Sequence, residues 1–340
     1  MEKYRQFEDQ TKGINPFIIS KKPSKCTLLT PIIFFIGTVK FLSFIIFYVW
    51  FVLLKFLLSL PVINFVLMPL DYIIVKLYTR ILLACLGVYF ISYKYKKHAY
   101  KTRPNLIISS QSSLIDWLVL LYNYNMQFLC IKKSDNDLND SLLKISAFSW
   151  FFYAAGIRFP KVDKKDKGTV ILDVINKGAV LFPEGTKSNR LAVLKIRSNV
   201  MSEIYGKVVE GKIRIRSEIV VNKNSYFNTT DTLGVFSLFS LCQSIYTPIE
   251  IISQDIPSAT YSAEDFDSET FETTDEYFDH ITQEFLMEPS ARNVVNLGAK
   301  EHEMFLEYYK KTSGDRKGKY VELSEDAGKM TEFDYENEDN

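Results

Sequence analysis

Two short polar segments hold the residues best suited to chemistry in this 340-residue sequence. One is Ser-Ser-Gln-Ser-Ser-Leu-Ile-Asp at 109–116, and the other is Leu-Phe-Pro-Glu-Gly-Thr-Lys-Ser-Asn-Arg at 181–190. Each follows or closes a short apolar stretch, at 105–109 and 179–182, that is typical of a buried strand. In open α/β sheets, the carboxyl ends of strands and the helix N-termini that follow them are the usual ligand sites. The sequence therefore predicts that both segments line a ligand site.

The second segment has the composition of an anion-binding turn. Gly185 lets the backbone approach a ligand closely, Thr186 and Ser188 offer hydroxyl groups, and Lys187 supplies a positive charge. The structural alternative is an ordinary turn in which Glu184 caps the next helix.

Asp116 in the first segment has an equally ordinary structural role open to it. Ser113 and Asp116 have the spacing of a helix capping pair, with serine at the N-cap and an acid three residues later. Capping and a chemical role for Asp116 are compatible, and both stay open.

The sequence Phe-Pro-Glu-Gly-Thr-Lys-Ser at 182–188 resembles the F-P-E-G-T-R-S motif of the glycerolipid acyltransferases, with Lys187 in place of the usual arginine. That superfamily includes the 1-acylglycerol-3-phosphate (lysophosphatidic acid) acyltransferases. Segment 109–116 sits where the family has its N-H-x-x-x-x-D motif. Residues 1–17 are similar to a fungal branch that lacks the motif histidine and is linked to the endoplasmic reticulum and lipid droplets. The resemblance covers roughly residues 1–255.

The resemblance implies catalytic roles for Gln111 and Asp116. In the family, the motif histidine takes the proton of the acceptor hydroxyl and the aspartate orients that histidine. Here Gln111 stands at the histidine position and Ser110 at the asparagine position, and glutamine does not take up a proton near neutral pH. Asp116 then acts as the base directly or through a water held by Gln111. The three histidines, His98, His280 and His302, all lie outside the motif.

The resemblance also implies that 184–188 (Glu184, Gly185, Thr186, Lys187 and Ser188) binds the substrate. A third family block, G-x-x-F-x-x-R, is matched by Gly156 and Phe159, but Val162 takes the position of the arginine that contacts the acceptor phosphate. Arg158, Lys161, Lys164 and Lys165 are the candidates to replace it. A solvated protein face is the alternative for each.

Upstream of these segments, residues 26–92 are strongly apolar. Segments 28–54 and 60–91 each supply enough apolar residues for a membrane-spanning helix, although Asp71, Lys76 and Arg80 interrupt the second. Positive residues on both flanks predict a hairpin with both ends in the cytoplasm. The alternative is a pair of buried helices in a soluble core.

The charge is divided along the chain. Residues 1–256 carry 33 basic and 18 acidic side chains, and residues 257–340 carry 8 and 22, within an overall net charge of +1. No nucleic-acid-binding module accompanies the basic excess, so anionic lipid headgroups and the phosphates of acyl-CoA explain it better.

The remaining pattern alternates between strand-like and helix-like segments, which predicts an α/β domain with a largely parallel sheet flanked by helices. Predicted strands are 105–109, 126–131, 157–159, 179–182, 212–221 and 248–253, and predicted helices are 114–124, 141–154, 168–177 and 294–311, with further helix-compatible residues in 262–288. We expect a polar cytosolic segment at 1–25, a membrane hairpin at 26–92, an acyltransferase domain at 93–256, an acidic helical extension at 257–320 and a disordered acidic tail at 321–340.

The sequence thus predicts a membrane-bound enzyme that moves a fatty acyl group from acyl-CoA to lysophosphatidic acid and makes phosphatidic acid. Acyl-CoA is a co-substrate; we expect no cofactor, no metal and no nucleic-acid partner. The expected location is the endoplasmic reticulum membrane, the lipid droplet or both, with the catalytic domain facing the cytoplasm. Two alternatives stay open: a catalytically inactive homologue that binds lipid and acts as a membrane-trafficking or lipid-droplet scaffold, and an acyltransferase for another lysophospholipid.

Overall fold

The centre of the protein is a seven-stranded sheet with the strand order β1-β8-β7-β2-β5-β3-β4. The computed structural model describes residues 7–9, 11–12, 15–17, 30–59, 61–95, 103–132, 141–145, 175, 178–186, 188, 192–196, 201, 204–206, 213–222, 235–256, 273–290, 293–295, 297, 301–302, 304–305 and 308. The strands are β1 Ile91–Tyr95, β2 Leu106–Ile108, β3 Gln127–Lys132, β4 Ser141–Ile145, β5 Ala179–Phe182, β6 Ala192–Leu194, β7 Ile215–Asn222, β8 Ile249–Ile256 and β9 Asn293–Val295. Strands β6 and β9 form a separate two-stranded sheet.

Most neighbouring strands of the large sheet are parallel, as the alternating sequence pattern predicts. Strand β2 pairs in parallel with β5 and with β7, β5 pairs in parallel with β3, and β1 pairs in parallel with β8. Only the β3–β4 and β7–β8 pairs are antiparallel among the described strands. Because β2 and β5 at the centre of the sheet are buried on both faces, their sequences are continuous apolar runs.

The described helices are α1 Thr30–Ser59, α2 Pro61–Cys85, α3 Leu114–Tyr124, α4 Val235–Cys242 and α5 Thr274–Ser290. Alternate residues of the central strands face opposite sides of the sheet. Ile107 and Val180 belong to the core formed with α1 to α4, whereas Leu106, Leu181 and Ile215 belong to the core formed with α5. The predicted α/β fold with helices flanking a mostly parallel sheet is therefore confirmed.

A third, smaller core joins the two ends of the chain. Phe7 and Phe17 from the N-terminal segment pack with Phe305 and with residues of β6 and β9. The rings of Phe7 and Phe305 meet edge to face, with their centroids 5.3 Å apart. We call this unit, made of β6, β9 and the described residues of 7–17 and 297–308, the terminal cluster.

Two predicted helices are wrong where the structure describes them. Residues 141–145, predicted as the start of a helix at 141–154, form β4 and pair with the edge of β3. Residues 293–295 form β9 beside β6, although 294–311 was predicted to be helical; the described residues between 301 and 308 are helical. A short apolar run does not distinguish a strand from a helix. Both segments form strands in the structure because each pairs with the edge of another strand, β3 or β6. The predicted strand at 157–159, most of the helix at 168–177 and the tail 321–340 lie outside the described residues.

The charged residues within the two apolar N-terminal helices have protein partners. The Lys55 ammonium lies 2.8 Å from Oδ1 of Asp71, and the Asn125 side-chain amide donates to Oδ2 of Asp71 at 3.2 Å. Lys40 donates to the backbone carbonyl of Ser244 at 2.6 Å. Since a lone charge in an apolar environment is costly, these contacts explain how α1 and α2 keep charged side chains and also fasten the helices to α3 and to the loop after α4.

In the described part of the chain, one helix is long and apolar enough to cross a membrane by length and composition, and it spans Thr30–Leu58 of α1. Helix α2, which Asp71, Lys76 and Arg80 interrupt, does not meet the same criterion, so only the first helix of the predicted membrane hairpin is supported. Large apolar side chains cover the outer face of α1 and remain exposed, among them Phe35, Ile46, Trp50 and Phe56. Such a contiguous apolar surface is typical of a membrane or protein contact.

Gly37 allows α1 to pack closely against the end of α4. A Cβ atom at Gly37 would lie 2.7 Å from Cγ and 3.2 Å from Cα of Gln243. We expect Gly37→Ala to push α1 away from α4 and to lower the free energy of unfolding by about 1–3 kcal/mol, the usual effect of overpacking. Thermal unfolding in detergent measures this. The matched control is Gly206→Ala, because no atom of the described residues lies within 4 Å of a Cβ atom there. Equal losses in both variants would contradict the predicted contact.

Candidate functional site

The two polar segments leave adjacent parallel strands at the same edge of the sheet. Ile108, the last residue of β2, pairs with Leu181 of β5, and the Ser109 amide donates to the Leu181 carbonyl at 3.0 Å. The hydrogen bonding between β2 and β5 therefore continues to the point where the first polar segment begins. Because both strands run in the same direction, both segments emerge together.

A backbone hydrogen bond joins the two segments beyond the strands. The Ser188 amide donates to the Gln111 carbonyl at 3.1 Å. The end of the 182–188 turn thus lies against the loop that precedes α3. The two stretches that were singled out from the sequence lie next to each other in space.

Asp116 is fully buried and bonded to the start of its own helix. Its Oδ2 atom accepts from the backbone amide and the hydroxyl of Ser112, both at 2.8 Å, and from the amide of Ser113 at 2.9 Å. Ser113 is in an extended conformation, and α3 begins at Leu114. The acid half of the capping pair is therefore present, and this carboxylate oxygen is directed at the loop 112–113.

Gln111 is fully buried, and its side-chain oxygen and nitrogen have no hydrogen-bond partner in the described part of the chain. An unsatisfied buried polar group costs about 1–3 kcal/mol. Gln111 lies just after the carboxyl end of β2, where a ligand could supply the missing hydrogen-bond partners. It is therefore a candidate for contact with a ligand.

The 182–188 turn is held in a defined conformation. Gly185 has a φ angle of +64°, which a residue with a side chain rarely adopts, and its amide donates to the Phe182 carbonyl at 3.3 Å. Glu184 is buried and its Oε1 atom accepts from the amide of Leu194 at 3.2 Å. Glu184 therefore ties the turn to β6.

One residue of the site was not among the candidates from the sequence. Nδ1 of His302, in the helical segment near the end of the chain, is hydrogen-bonded to Oγ1 of Thr186. The two residues are 116 positions apart, and no spacing in the sequence relates them. The sequence analysis therefore placed His302 outside the motif and did not identify it as a candidate.

The structure thus brings together Gln111, Asp116, Thr186 and Ser188, with Glu184 and Gly185 shaping the turn. The basic candidates Lys187, Arg158 and Lys161 lie outside the described residues, so their contact with a phosphate stays a prediction. Within the described residues, no group of three or more His, Cys, Asp or Glu side chains is arranged to hold a metal ion.

A second buried polar cluster lies on the α3 side of the sheet. Arg216 and Asp255 form an ion pair, and the Tyr124 hydroxyl and the Ser253 hydroxyl both bond Oε1 of Glu218. Burial raises the pKa of Glu218 from an ordinary value of 4.5 to about 7, against the hydrogen bond from Tyr124 and the charge of Arg216, which lower it. Sequence reasoning did not identify this cluster, since its members come from three separate elements.

Comparison with known proteins gives limited information. No family model matches the chain, and no curated protein matches it. Among solved structures, the chain is similar to the 1-acyl-sn-glycerophosphate acyltransferase PlsC from Thermotoga maritima, with 14% sequence identity and a TM-score of 0.32, over 74% of this chain and 99% of that chain. A likeness at this level carries no argument about activity.

The unsatisfied amide of Gln111 predicts a stabilising substitution. Gln111→Leu removes both unpartnered groups and keeps a similar volume, so we expect the free energy of unfolding to rise by about 1–3 kcal/mol. The matched control is Gln283→Leu, since Gln283 is also buried but its amide donates to the Ile196 carbonyl at 3.4 Å. Thermal unfolding should show opposite shifts for the two variants; destabilisation by Gln111→Leu would show that its amide is satisfied.

Glu218 predicts a pH dependence of stability. An unfolded chain releases the proton of this side chain near pH 4.5 and the folded chain releases it near pH 7, so the unfolded state binds fewer protons between these values. Stability therefore falls as pH rises from about 4.5 to about 7, by at most about 1.4 kcal/mol per pH unit, and then levels off with respect to this group. Glu218→Gln should remove most of that slope in unfolding experiments from pH 5 to pH 8.

The control for this experiment is Glu250→Gln on β8, where the side chain is only half-buried. Glu250→Gln should leave the dependence of the free energy of unfolding on pH as it is in the unaltered protein. A slope that survives Glu218→Gln would assign the pH dependence to other groups.

Proposed function

We propose that this protein is a membrane-bound acyltransferase that moves a fatty acyl group from acyl-CoA to the free hydroxyl of lysophosphatidic acid and releases phosphatidic acid. The observation that carries the proposal is the hydrogen bond from the Ser188 amide to the Gln111 carbonyl. It places the turn that resembles the acyltransferase F-P-E-G-T-R-S motif against the segment in the position of the N-H-x-x-x-x-D motif.

The turn supplies the acceptor-binding side of the proposed site. Its left-handed Gly185 brings the backbone close to a ligand, and the hydroxyl-bearing residues Thr186 and Ser188 flank the positively charged Lys187 in the sequence. Lysine binds a phosphate as a point charge and lacks the bidentate geometry of arginine. Arg158 and Lys161 are the further candidates for the acceptor phosphate.

The start of α3 supplies the part of the proposed site that binds the acyl group of the thioester. Backbone amides in the first helical turn lack partners within the helix, and the helix dipole places partial positive charge there. A carbonyl oxygen that becomes negative during attack on the thioester is stabilised by such donors. Gln111 lies at the entry of this helix, and its unsatisfied side chain would find partners in the acyl carbonyl or the acceptor hydroxyl.

The exposed apolar face of α1 supports membrane attachment for a protein whose substrates are lipids. Lys40 and Lys55 are already paired within the protein, so they do not prevent burial of the outer face in a bilayer. We propose the endoplasmic reticulum membrane or the lipid droplet as the location, with the catalytic domain on the cytoplasmic side.

A non-catalytic function is the second candidate, and one observation favours it. Gln111 replaces the proton-accepting residue, and every described residue of the site is buried. In this alternative the protein binds a lysophospholipid or acyl-CoA and organises membranes. A third candidate keeps the reaction and changes the acceptor to another lysophospholipid.

An assay of the purified protein in detergent, with acyl-CoA and lysophosphatidic acid, tests the proposal. We expect phosphatidic acid above the level of heat-inactivated protein, and Lys187→Ala should raise KM for lysophosphatidic acid about tenfold, equivalent to about 1.4 kcal/mol, with a smaller effect on kcat. The control is Lys94→Ala, which removes an exposed lysine from β1.

Three outcomes separate the candidates. Absence of product with any lysophospholipid, together with retained lipid binding, would support the scaffold. Preference for another acceptor in a competition panel would support the third candidate. An equal rise in KM for Lys94→Ala would remove the specific role of Lys187.

A further inference from the structure

The reaction proposed above needs a group that accepts the proton of the attacking hydroxyl, and neither residue of the first segment fits. The Gln111 amide does not take up a proton near neutral pH. Oδ2 of Asp116 accepts three hydrogen bonds from Ser112 and Ser113, so it is engaged with the loop that begins α3. The first segment therefore holds no described group that is placed and able to act as the base.

The second segment does contact such a group. Oγ1 of Thr186 and Nδ1 of His302 are hydrogen-bonded, and the two side chains are only 5% and 2% exposed. Imidazole is the side chain best suited to accept a proton near neutral pH. A hydroxyl hydrogen-bonded to an imidazole is the arrangement that passes protons in acyl-transfer enzymes.

Aromatic packing holds the imidazole ring in this position. The His302 ring stacks on Phe17 with the centroids 4.8 Å apart and an angle of 22° between the planes, and Phe305 lies 6.4 Å away at 16°. The ring is therefore placed by apolar neighbours, and its edge is directed toward Thr186. This packing belongs to the terminal cluster.

The terminal cluster is also attached to the turn from the other side. Glu184 of the turn accepts a hydrogen bond from the Leu194 amide of β6, and β6 pairs with β9. The Lys195 amide after β6 donates to the Leu297 carbonyl at 2.9 Å, shortly before the described helical residues between 301 and 308. Residues 184 and 186 are thus both tied to the same unit. This double attachment fixes the Thr186 hydroxyl relative to His302.

Thr186 is also close to the first segment. Ser188 donates to the Gln111 carbonyl, and two residues of chain span at most about 7 Å. The relay described below therefore requires the acceptor hydroxyl to bind where the two segments meet, next to Thr186.

We propose that Thr186 and His302 form a proton relay that replaces the missing histidine of the first segment; this inference rests on the proposed acyltransferase function. The acceptor oxygen attacks the thioester carbonyl carbon while its proton passes to Oγ1 of Thr186 and the original Thr186 proton passes to Nδ1 of His302. The carbon–sulfur bond then breaks. The relay runs in reverse, so that the CoA thiolate receives a proton from Thr186 and His302 returns its proton to Thr186. The products are the ester and free CoA thiol.

Turnover by single and double variants tests the relay. We expect Thr186→Val and His302→Gln each to lower kcat roughly 10²- to 10⁴-fold with little change in KM, and the double variant to be no slower than the worse single variant, because either change breaks the same relay. Thr186→Ser should keep most of the activity. Thr186→Val has nearly the shape of threonine and leaves the packing of His302 in place.

Two rescues separate a chemical role from a structural one. Added imidazole should restore turnover to His302→Gly, and Gln111→His should restore it to His302→Gln by placing a base in the first segment. Phe17→Leu, which loosens the packing and keeps both relay groups, should lose less activity than His302→Gln. The matched control is His280→Gln, since His280 is exposed on α5.

The outcomes distinguish this inference from the function on which it rests. If the unaltered protein turns over and Thr186→Val and His302→Gln are equally active, the relay is overturned and the proposed acyltransferase function stands. Additive losses in the double variant without rescue by imidazole would also overturn the relay. No turnover by the unaltered protein or by the Gln111→His variant would overturn both.

Discussion

The candidate site depends on the parallel pairing of β2 with β5 and on the backbone hydrogen bonds that continue beyond it. Parallel strands release their following loops at one edge of the sheet, so the pairing of Ile108 with Leu181 brings two polar segments together that are separated by about 70 residues. The bond from Ser188 to Gln111 then joins the loops themselves. With a different register of these strands, the turn at 182–188 and the start of α3 would not lie next to each other.

The turn is held from two sides, which defines its conformation. On one side, β5 carries it toward α3; on the other, Glu184 and Thr186 attach it to the terminal cluster through Leu194 and His302. A group that must meet a reacting atom needs such support, because a displacement of about 1 Å lowers the rate severely. The extension beyond residue 257 is therefore part of the site's structure and not only an acidic appendage.

The apolar helices are connected to the same site through α3. Asp71 receives hydrogen bonds from Lys55 of α1 and from Asn125, the residue that ends α3. The opposite end of α3 begins at Leu114, next to Gln111. A lipid surface that covers α1 would thus be connected, through Lys55 and Asp71, to the helix that begins at the proposed acyl-binding region.

Local sequence was sufficient for elements whose signals lie among near neighbours. Ser113 and Asp116 mark the start of α3, and the apolar run Ala179–Phe182 marks β5, so both have the predicted bounds. Tertiary structure alone decided the rest. Residues 141–145 became a strand because the edge of β3 was available for pairing. The contact of His302 with Thr186 needed the terminal cluster, and the burial of Gln111 without partners needed the assembled sheet. Propensity and capping are properties of adjacent residues, whereas contacts across 116 residues follow only from the packing of the whole chain.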